Sequence, residues 1–127
     1  MMTPSLRDEL LLAGYCTVIF LFSHQPAFPH PHYFLHQDKL HHLLAYAVMA
    51  VFAWRAFSHR IPLSWVLWLS TVLFCSLYGV SDEFHQSFIS ERNSEVADWL
   101  ADTLGAVMTS TGVYIYHHKR NESVAEG

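Results

Sequence analysis

Charged residues are scarce in this chain of 127 residues: 7 Lys and Arg and 11 Asp and Glu make up 14% of it, against about 25% in a typical soluble domain. Hydrophobic residues make up 52%, more apolar surface than so few charges can cover in water. The shortage of basic side chains argues against a nucleic-acid-binding surface, and the high hydrophobicity excludes intrinsic disorder. A membrane protein is the class that remains to be tested.

Glycine and cysteine are also scarce, with 5 and 2 residues. There is no glycine-rich phosphate loop, no His-Glu-x-x-His motif and no nucleophile elbow. Cys16 and Cys75 do not form a disulfide framework or a metal signature, and we interpret them as small packing residues. The His-rich segment 23–37 matches no zinc signature, and its prolines indicate an extended surface loop.

The charged residues leave four long gaps, of 28, 15, 21 and 16 residues. A helix needs about 20 mostly apolar residues to cross the roughly 30 Å hydrocarbon core. The sequence therefore predicts an all-α, polytopic membrane protein with one domain over residues 1–127. Its four transmembrane helices form a compact bundle and lie at about residues 10–28, 40–57, 61–80 and 96–116. A soluble bundle is the alternative, but its exposed helix faces would need charges that these segments lack.

The first segment shares features with a signal peptide, because a charged start precedes a short apolar run. However, Asp8 and Glu9 lie beside Arg7, and no small-residue cleavage site follows, so we expect this segment to be retained as an anchor.

Basic residues next to the spans set the orientation of a membrane protein. Five lie on one side and two on the other: Arg7, Arg55, Arg60, Lys119 and Arg120 against Lys39 and Arg92. We therefore expect both termini in the cytoplasm and the other two loops outside.

Polar residues gather on the side predicted to face outward, at the start of the second and fourth helices and the end of the third. A spacing of three or four residues puts two side chains on one helix face. The pairs are Asp38 with His41 and His42, Asp82 with Gln86, and Asp98 with Asp102. Because ionisable groups at membrane depth normally face a bundle interior or a wet cavity, converging carboxylates indicate a site that handles a proton, a cation or a phosphate.

These residues resemble the motifs of the VanZ-like family of small bacterial membrane proteins, over about residues 38–105. The matching positions are Asp38, Lys39, His41 (or His42) and Tyr46; then Tyr78, Gly79, Asp82, Glu83 and Gln86; then Arg92, Asp98 and Asp102 to Gly105. Two positions depart from the family pattern. Asp102 stands where Asn is common, and Glu91 stands where Gly is frequent, so we expect a different loop geometry there.

The resemblance implies a multi-pass protein of the bacterial inner membrane with a role in the cell envelope, since the founding member is associated with low-level teicoplanin resistance. It implies no particular reaction. Three functions stay open: a membrane enzyme or binding site for a lipid-linked, phosphate-bearing envelope precursor; a non-catalytic module that binds a lipid or a glycopeptide antibiotic; and a proton- or cation-coupled transporter with Asp98 and Asp102 as the relay.

Under the first hypothesis the polar residues divide into two groups. The candidate catalytic residues are Asp82, Glu83, Gln86, His41, Asp38 and Asp98, as general acids, bases or their partners. The candidate substrate-binding residues are Arg92, Lys39, Tyr46, Tyr78 and Asp102, with Arg92 offering a bidentate fork to phosphate. A divalent cation held by Asp82, Glu83 and Asp98 would bridge carboxylates to phosphate, since oxygen ligands suit Mg²⁺.

Overall fold

The protein is described by a computed structural model over residues 1–26 and 33–126. These residues form four helices and no strand: α1 (Pro4–His24), α2 (Gln37–Ser58), α3 (Ser64–Gln86) and α4 (Val96–Ala125). The predicted all-α fold is confirmed. Residues 27–32, which include the end of the first predicted span and part of the His-rich segment, lie outside the described residues.

Three helices extend well past the predicted spans. α1 begins at Pro4, where the Thr3 hydroxyl accepts a hydrogen bond from the Leu6 amide at 3.2 Å and caps the helix. α3 continues to Gln86, so the acidic residues near its end lie on helix rather than in a loop, and α4 runs for 30 residues to Ala125. This regular backbone fixes where the polar side chains point.

Two helices, α2 and α3, are long and apolar enough to cross a bilayer. In α1 the charged residues Arg7 to Glu9 lie close to the start of the helix, and α4 carries several Ser, Thr and Gly residues between its apolar ones. The length and composition of the described helices thus support membrane-helix character for two of the four predicted spans.

Apolar side chains are exposed along one face of α2, α3 and the first half of α4 rather than scattered. On α3 they recur every three or four residues, at Leu69, Leu73, Leu77, Val80 and Phe84. Such a stripe would be an unusually large apolar patch on a soluble monomer, whereas it suits a helix that faces lipid. The exposed faces therefore agree with a membrane environment.

The closest helix contact joins α2 to α4. Small residues line it, with Ala50 and Ala53 of α2 and Ala106 of α4 fully buried. At Gly105 a Cβ atom would lie only 2.1 Å from the backbone oxygen of Leu43, so only glycine permits this approach. Small residues at close crossings are typical of membrane helix pairs.

Two tyrosine hydroxyls attach α1 to the bundle. Tyr15 donates a hydrogen bond to the carbonyl oxygen of Ala45 at 2.7 Å, and Tyr78 donates one to the carbonyl oxygen of Cys16. Both carbonyls belong to helix backbones, so the side chains fix the position of α1 relative to α2 and α3.

A charged cluster joins the start of α1 to the end of α2. The buried carboxylate of Asp8 lies 2.9 Å from Arg55, 2.9 Å from His59 and 3.1 Å from Arg7. The hydrogen bond from His59, together with the charges of Arg7 and Arg55, holds the pKa of Asp8 below its usual value against the opposing effect of burial. One carboxylate oxygen therefore pairs with two arginines, and the other lies within hydrogen-bond distance of His59.

Candidate functional site

At the other end of the bundle, here called the polar end, α1 and α3 finish and α2 and α4 begin. A cavity of about 530 Å³ opens there, lined by residues from all four helices and from the α3–α4 loop. Its polar lining residues are Ser23, Asp38, His41, His42, Tyr46, Asp82, Gln86, Glu91, Arg92, Asn93, Glu95 and Asp98. The predicted polar groups thus converge in space.

Lys39 is not itself a lining residue of this cavity, but it pairs with three carboxylates that are. Its Nζ atom is 2.6 Å from Asp38, 2.7 Å from Glu95 and 2.8 Å from Asp98. The Lys39 side chain is 20% exposed, whereas that of Asp98 is only 7% exposed, so the ammonium group compensates part of a buried charge. Because the Lys39 ammonium group is already shared among three carboxylates, it has no charge left to bind an added anion.

His42 lies at the centre of the buried carboxylates. Its Nδ1 atom is 2.9 Å from Oδ1 of Asp102, and its Nε2 atom is 4.0 Å from Oδ2 of Asp98. With Asp102 ionised, its carboxylate can only accept a hydrogen bond, so Nδ1 is then the nitrogen that carries the proton. In the neutral ring this leaves the Nε2 lone pair on the side of Asp98.

Glu83 is held by the loop that follows α3. One of its oxygens, Oε2, accepts hydrogen bonds from the Ser94 hydroxyl at 3.2 Å and from the Glu95 amide at 3.0 Å. The other oxygen, Oε1, is buried, lies 4.0 Å from Nδ1 of His42, and has no hydrogen-bond partner among the described residues. The loop thus fixes a carboxylate with one free oxygen.

Asp82 belongs to a separate hydrogen-bonded group. The Tyr46 hydroxyl donates to Oδ2 of Asp82 at 3.4 Å, and the Gln86 amide nitrogen donates to the same oxygen at 3.3 Å. Gln86 also lies 3.3 Å from the hydroxyl of Ser23, which brings the end of α1 into the network. Asp82 is therefore already engaged by neutral donors.

Arg92 is half-buried in the cavity wall. Unlike Lys39, its guanidinium group has no carboxylate within 4.0 Å among residues 1–26 and 33–126. A guanidinium fork presents several donors in one plane, which suits two oxygens of a phosphate or carboxylate. Arg92 is thus the cavity cation that retains free binding capacity.

Glu91 adopts a left-handed backbone conformation, with φ of 65°. Side chains are strained in this region and glycine is not, so Glu91 occupies a position whose backbone conformation favours glycine.

The structure separates the sequence-predicted site residues into three places. His42, Glu83, Asp98 and the fully buried Asp102 cluster together; Tyr46, Asp82 and Gln86 form the adjacent network; and Lys39 pairs with Asp38 at the rim. Of the adjacent histidines, His42 is directed to the carboxylates, while His41 is exposed at the cavity mouth. Tyr78 bonds to α1 and is not among the cavity-lining residues.

Two contributions were not found from the sequence: Ser23 as a hydrogen-bond partner of Gln86, and the backbone amide of Glu95 as a donor to Glu83. Ser94 belongs with Arg92 to the loop of the resembled family pattern, but its hydrogen bond to Glu83 was not predicted. An isolated serine such as Ser23 carries no pattern that distinguishes it from others in the chain. The cation ligands predicted from the sequence were Asp82, Glu83 and Asp98, whereas in the structure it is His42, rather than Asp82, that groups with the other two, with ligand atoms within 4.8 Å of one another.

The fold and the site define a four-helix protein with membrane-helix character and a buried cluster of carboxylates and histidine at one end. The VanZ/LLP1 family pattern matches residues 10–117, which includes all of the cluster, and the chain belongs to this family. No curated protein and no solved structure matches the chain.

Proposed function

We propose that the chain is a four-span protein of the bacterial cytoplasmic membrane, with both termini inside and the polar end outside. The apolar stripes on the helix surfaces support the spans, and the distribution of Lys and Arg supports the orientation. In this arrangement the cavity opens at the external surface of the cytoplasmic membrane, within reach of the headgroups of its outer leaflet.

Cysteine labelling tests this orientation. In a variant with Cys16→Ala and Cys75→Ala, a membrane-impermeant maleimide should label Ser87→Cys in intact cells and label Ser58→Cys only after permeabilisation. Both serines are exposed and lie at opposite ends of the bundle, so they form a matched pair. The reverse pattern would invert the topology, and labelling of both in intact cells would contradict it.

We further propose that the cavity binds the phosphate-bearing headgroup of a lipid-linked envelope precursor. The observation that carries this proposal is Arg92, a cavity-lining cation without a carboxylate partner among the described residues. The charge of Lys39, in contrast, is already shared among three carboxylates. The cavity lining also includes the apolar side chains of Ile19 and Phe22, which offer a surface for the first part of an isoprenoid chain.

Direct binding tests the headgroup proposal. Protein in lipid nanodiscs should bind a polyprenyl phosphate, and Arg92→Gln should weaken binding about 10-fold or more, since hydrogen bonds to charged groups contribute about 1.5–3 kcal/mol. Arg92→Lys should recover only part of the loss, because it keeps the charge but not the fork. Arg120→Gln, at an exposed position of α4, is the matched control. Equal affinity of Arg92→Gln and the control would refute the proposal.

We extend the proposal to the envelope phenotype that the family suggests: expression of the chain raises the teicoplanin tolerance of a sensitive host through the same cavity. Asp82→Asn and Glu83→Gln keep the side-chain shapes while removing charge. If tolerance is raised by wild type and falls in both variants at equal expression, the carboxylates are required. Full tolerance in both would exclude an acid, base or ion-binding role for them in this phenotype.

A further inference from the structure

Some buried carboxylate oxygens at the polar end lack a cation or hydrogen-bond donor among the described residues. Glu83 and Asp102 are 7% and 0% exposed, and within the described part of the chain neither Oε1 of Glu83 nor Oδ2 of Asp102 has a hydrogen-bond partner. An unpartnered buried carboxylate oxygen is strongly destabilising unless a cation or donor compensates it. Oδ2 of Asp102 lies on the side of Gly79, whereas Oε1 of Glu83 lies 4.0 Å from Nδ1 of His42. The missing partner is therefore inferred from Oε1 of Glu83 and from the side chains around it.

The orientation of His42 indicates the nature of this partner. Metal-binding histidines commonly donate one ring N–H to a carboxylate, which fixes the tautomer and leaves the other nitrogen to bind the metal. His42 has this arrangement: Nδ1 lies 2.9 Å from Asp102, and Nε2 lies toward Asp98 at 4.0 Å. Asp102 is thus placed to orient the histidine rather than to act as a ligand itself.

The ligand atoms are close enough to surround one ion. His42, Glu83 and Asp98 each offer one atom, and these three atoms lie within 4.8 Å of one another. Ligand atoms around a tetrahedral ion with bonds of about 2.0–2.2 Å are about 3.3–3.6 Å apart, so the side chains need to close by up to about 1.5 Å. Asp98 can take part because Lys39 engages its Oδ1 atom, which leaves Oδ2 for an ion.

We propose that His42, Glu83 and Asp98 bind a divalent transition-metal ion, with Asp102 as the residue that positions His42. One imidazole with two carboxylates suits Zn²⁺ or Mn²⁺ better than Mg²⁺, which prefers an all-oxygen site with several waters. Ion binding by these side chains does not depend on the proposed function. A role for the bound ion as a bridge between the carboxylates and a phosphate oxygen does rest on the proposed function.

The test is ion binding to the full chain in phosphatidylcholine nanodiscs, without any other lipid. To remove competing histidines, the background carries Asn in place of His24, His30, His32 and His36. Isothermal titration with ZnCl₂ or MnCl₂ should give one site per chain, and MgCl₂ should bind at least 10-fold more weakly. Mg²⁺ binding as tight as that of Zn²⁺ would overturn the assignment to a transition metal.

Substitutions then locate the ion. His42→Ala and Glu83→Gln should each weaken Zn²⁺ binding at least 10-fold, while the exposed control variants His118→Ala and Glu122→Gln stay within 2-fold of the background. Glu83→Gln keeps an acceptor for Ser94 and Glu95, so we expect it to retain the contact between α3 and the following loop. In addition, the visible absorption of bound Co²⁺ should change in His42→Ala.

Zn²⁺ binding that is absent, or equal in the His42 and Glu83 variants and their controls, would overturn the site. Because these titrations contain no polyprenyl phosphate, they fail or succeed independently of the headgroup assay. A chain that binds Zn²⁺ at His42 but no phosphate-bearing lipid would retain the metal site and lose the proposed function.

Discussion

Replacing Gly105 with Ala tests the closest contact in the fold. A Cβ at this position would be 2.1 Å from the backbone oxygen of Leu43, and an ordinary carbon–oxygen contact is about 3.3 Å, so α2 and α4 would have to separate by about 1.2 Å. Overpacking costs about 1–3 kcal/mol, and the upper end applies because a helix carbonyl cannot rotate away. The better helix propensity of Ala returns about 1 kcal/mol. We therefore expect the free energy of unfolding to fall by about 2 kcal/mol.

Substitutions at two other glycines serve as comparisons for Gly105→Ala. At Gly112 of the same helix no atom lies within 4 Å of an added Cβ, so Gly112→Ala should be stabilising by up to about 1 kcal/mol. At Gly79 the atom nearest to an added Cβ is Oδ2 of Asp102 at 3.0 Å. Because this atom is the end of a side chain, the stability of Gly79→Ala should lie between those of the other two variants. Thermal and denaturant unfolding in one detergent ranks the three variants. If Gly105→Ala is as stable as Gly112→Ala, the close contact is not the one described.

Three smaller predictions concern single contacts. Asp8→Asn should lower the melting temperature at pH 7. Because the hydrogen bond from His59 holds the pKa of Asp8 below 3.8 in the folded protein, the difference in melting temperature between wild type and variant should shrink as the pH falls below 3.8. A difference that stays constant down to pH 2.5 would contradict this. Tyr15→Phe should cost about 0.5–1.5 kcal/mol in chemical unfolding through loss of the bond to Ala45. Glu91→Gly should leave stability unchanged or raise it by up to about 1 kcal/mol, since relief of the left-handed strain offsets the added chain entropy; clear destabilisation would argue against that conformation.

The helices could be predicted from the gaps between charged residues, but their ends could not. Charge spacing placed the end of the third span near residue 80, because Asp82 and Glu83 are costly in lipid. The helix nevertheless continues to Gln86, since backbone hydrogen bonding does not stop where the bilayer does. Conversely, α1 begins at Pro4, where Thr3 provides a cap that a search for apolar residues does not weigh.

The composition of the candidate site was predictable as a set of residues, but the pairing within it was not. Spacing of three or four residues allows Asp38 to meet either His41 or His42 on its own helix. The structure instead directs His42 to Asp102, a residue 60 positions away. Only the close crossing of α2 and α4 brings them together, and no local pattern encodes that distance. The neighbouring position, His41, remains exposed.

The two ends of the bundle show why burial of a carboxylate does not by itself indicate function. Asp8 is 5% exposed, as is Asp98 at the polar end, yet both oxygens of Asp8 have a partner at 2.9 Å, Arg55 for one and His59 for the other. That cluster is complete and is explained by its role in joining α1 to α2. At the polar end Glu83 and Asp102 each keep an oxygen without a partner among the described residues. Since such atoms are costly, the contrast between the saturated and the unsaturated end, rather than the number of acidic residues, identifies where a ligand is to be sought.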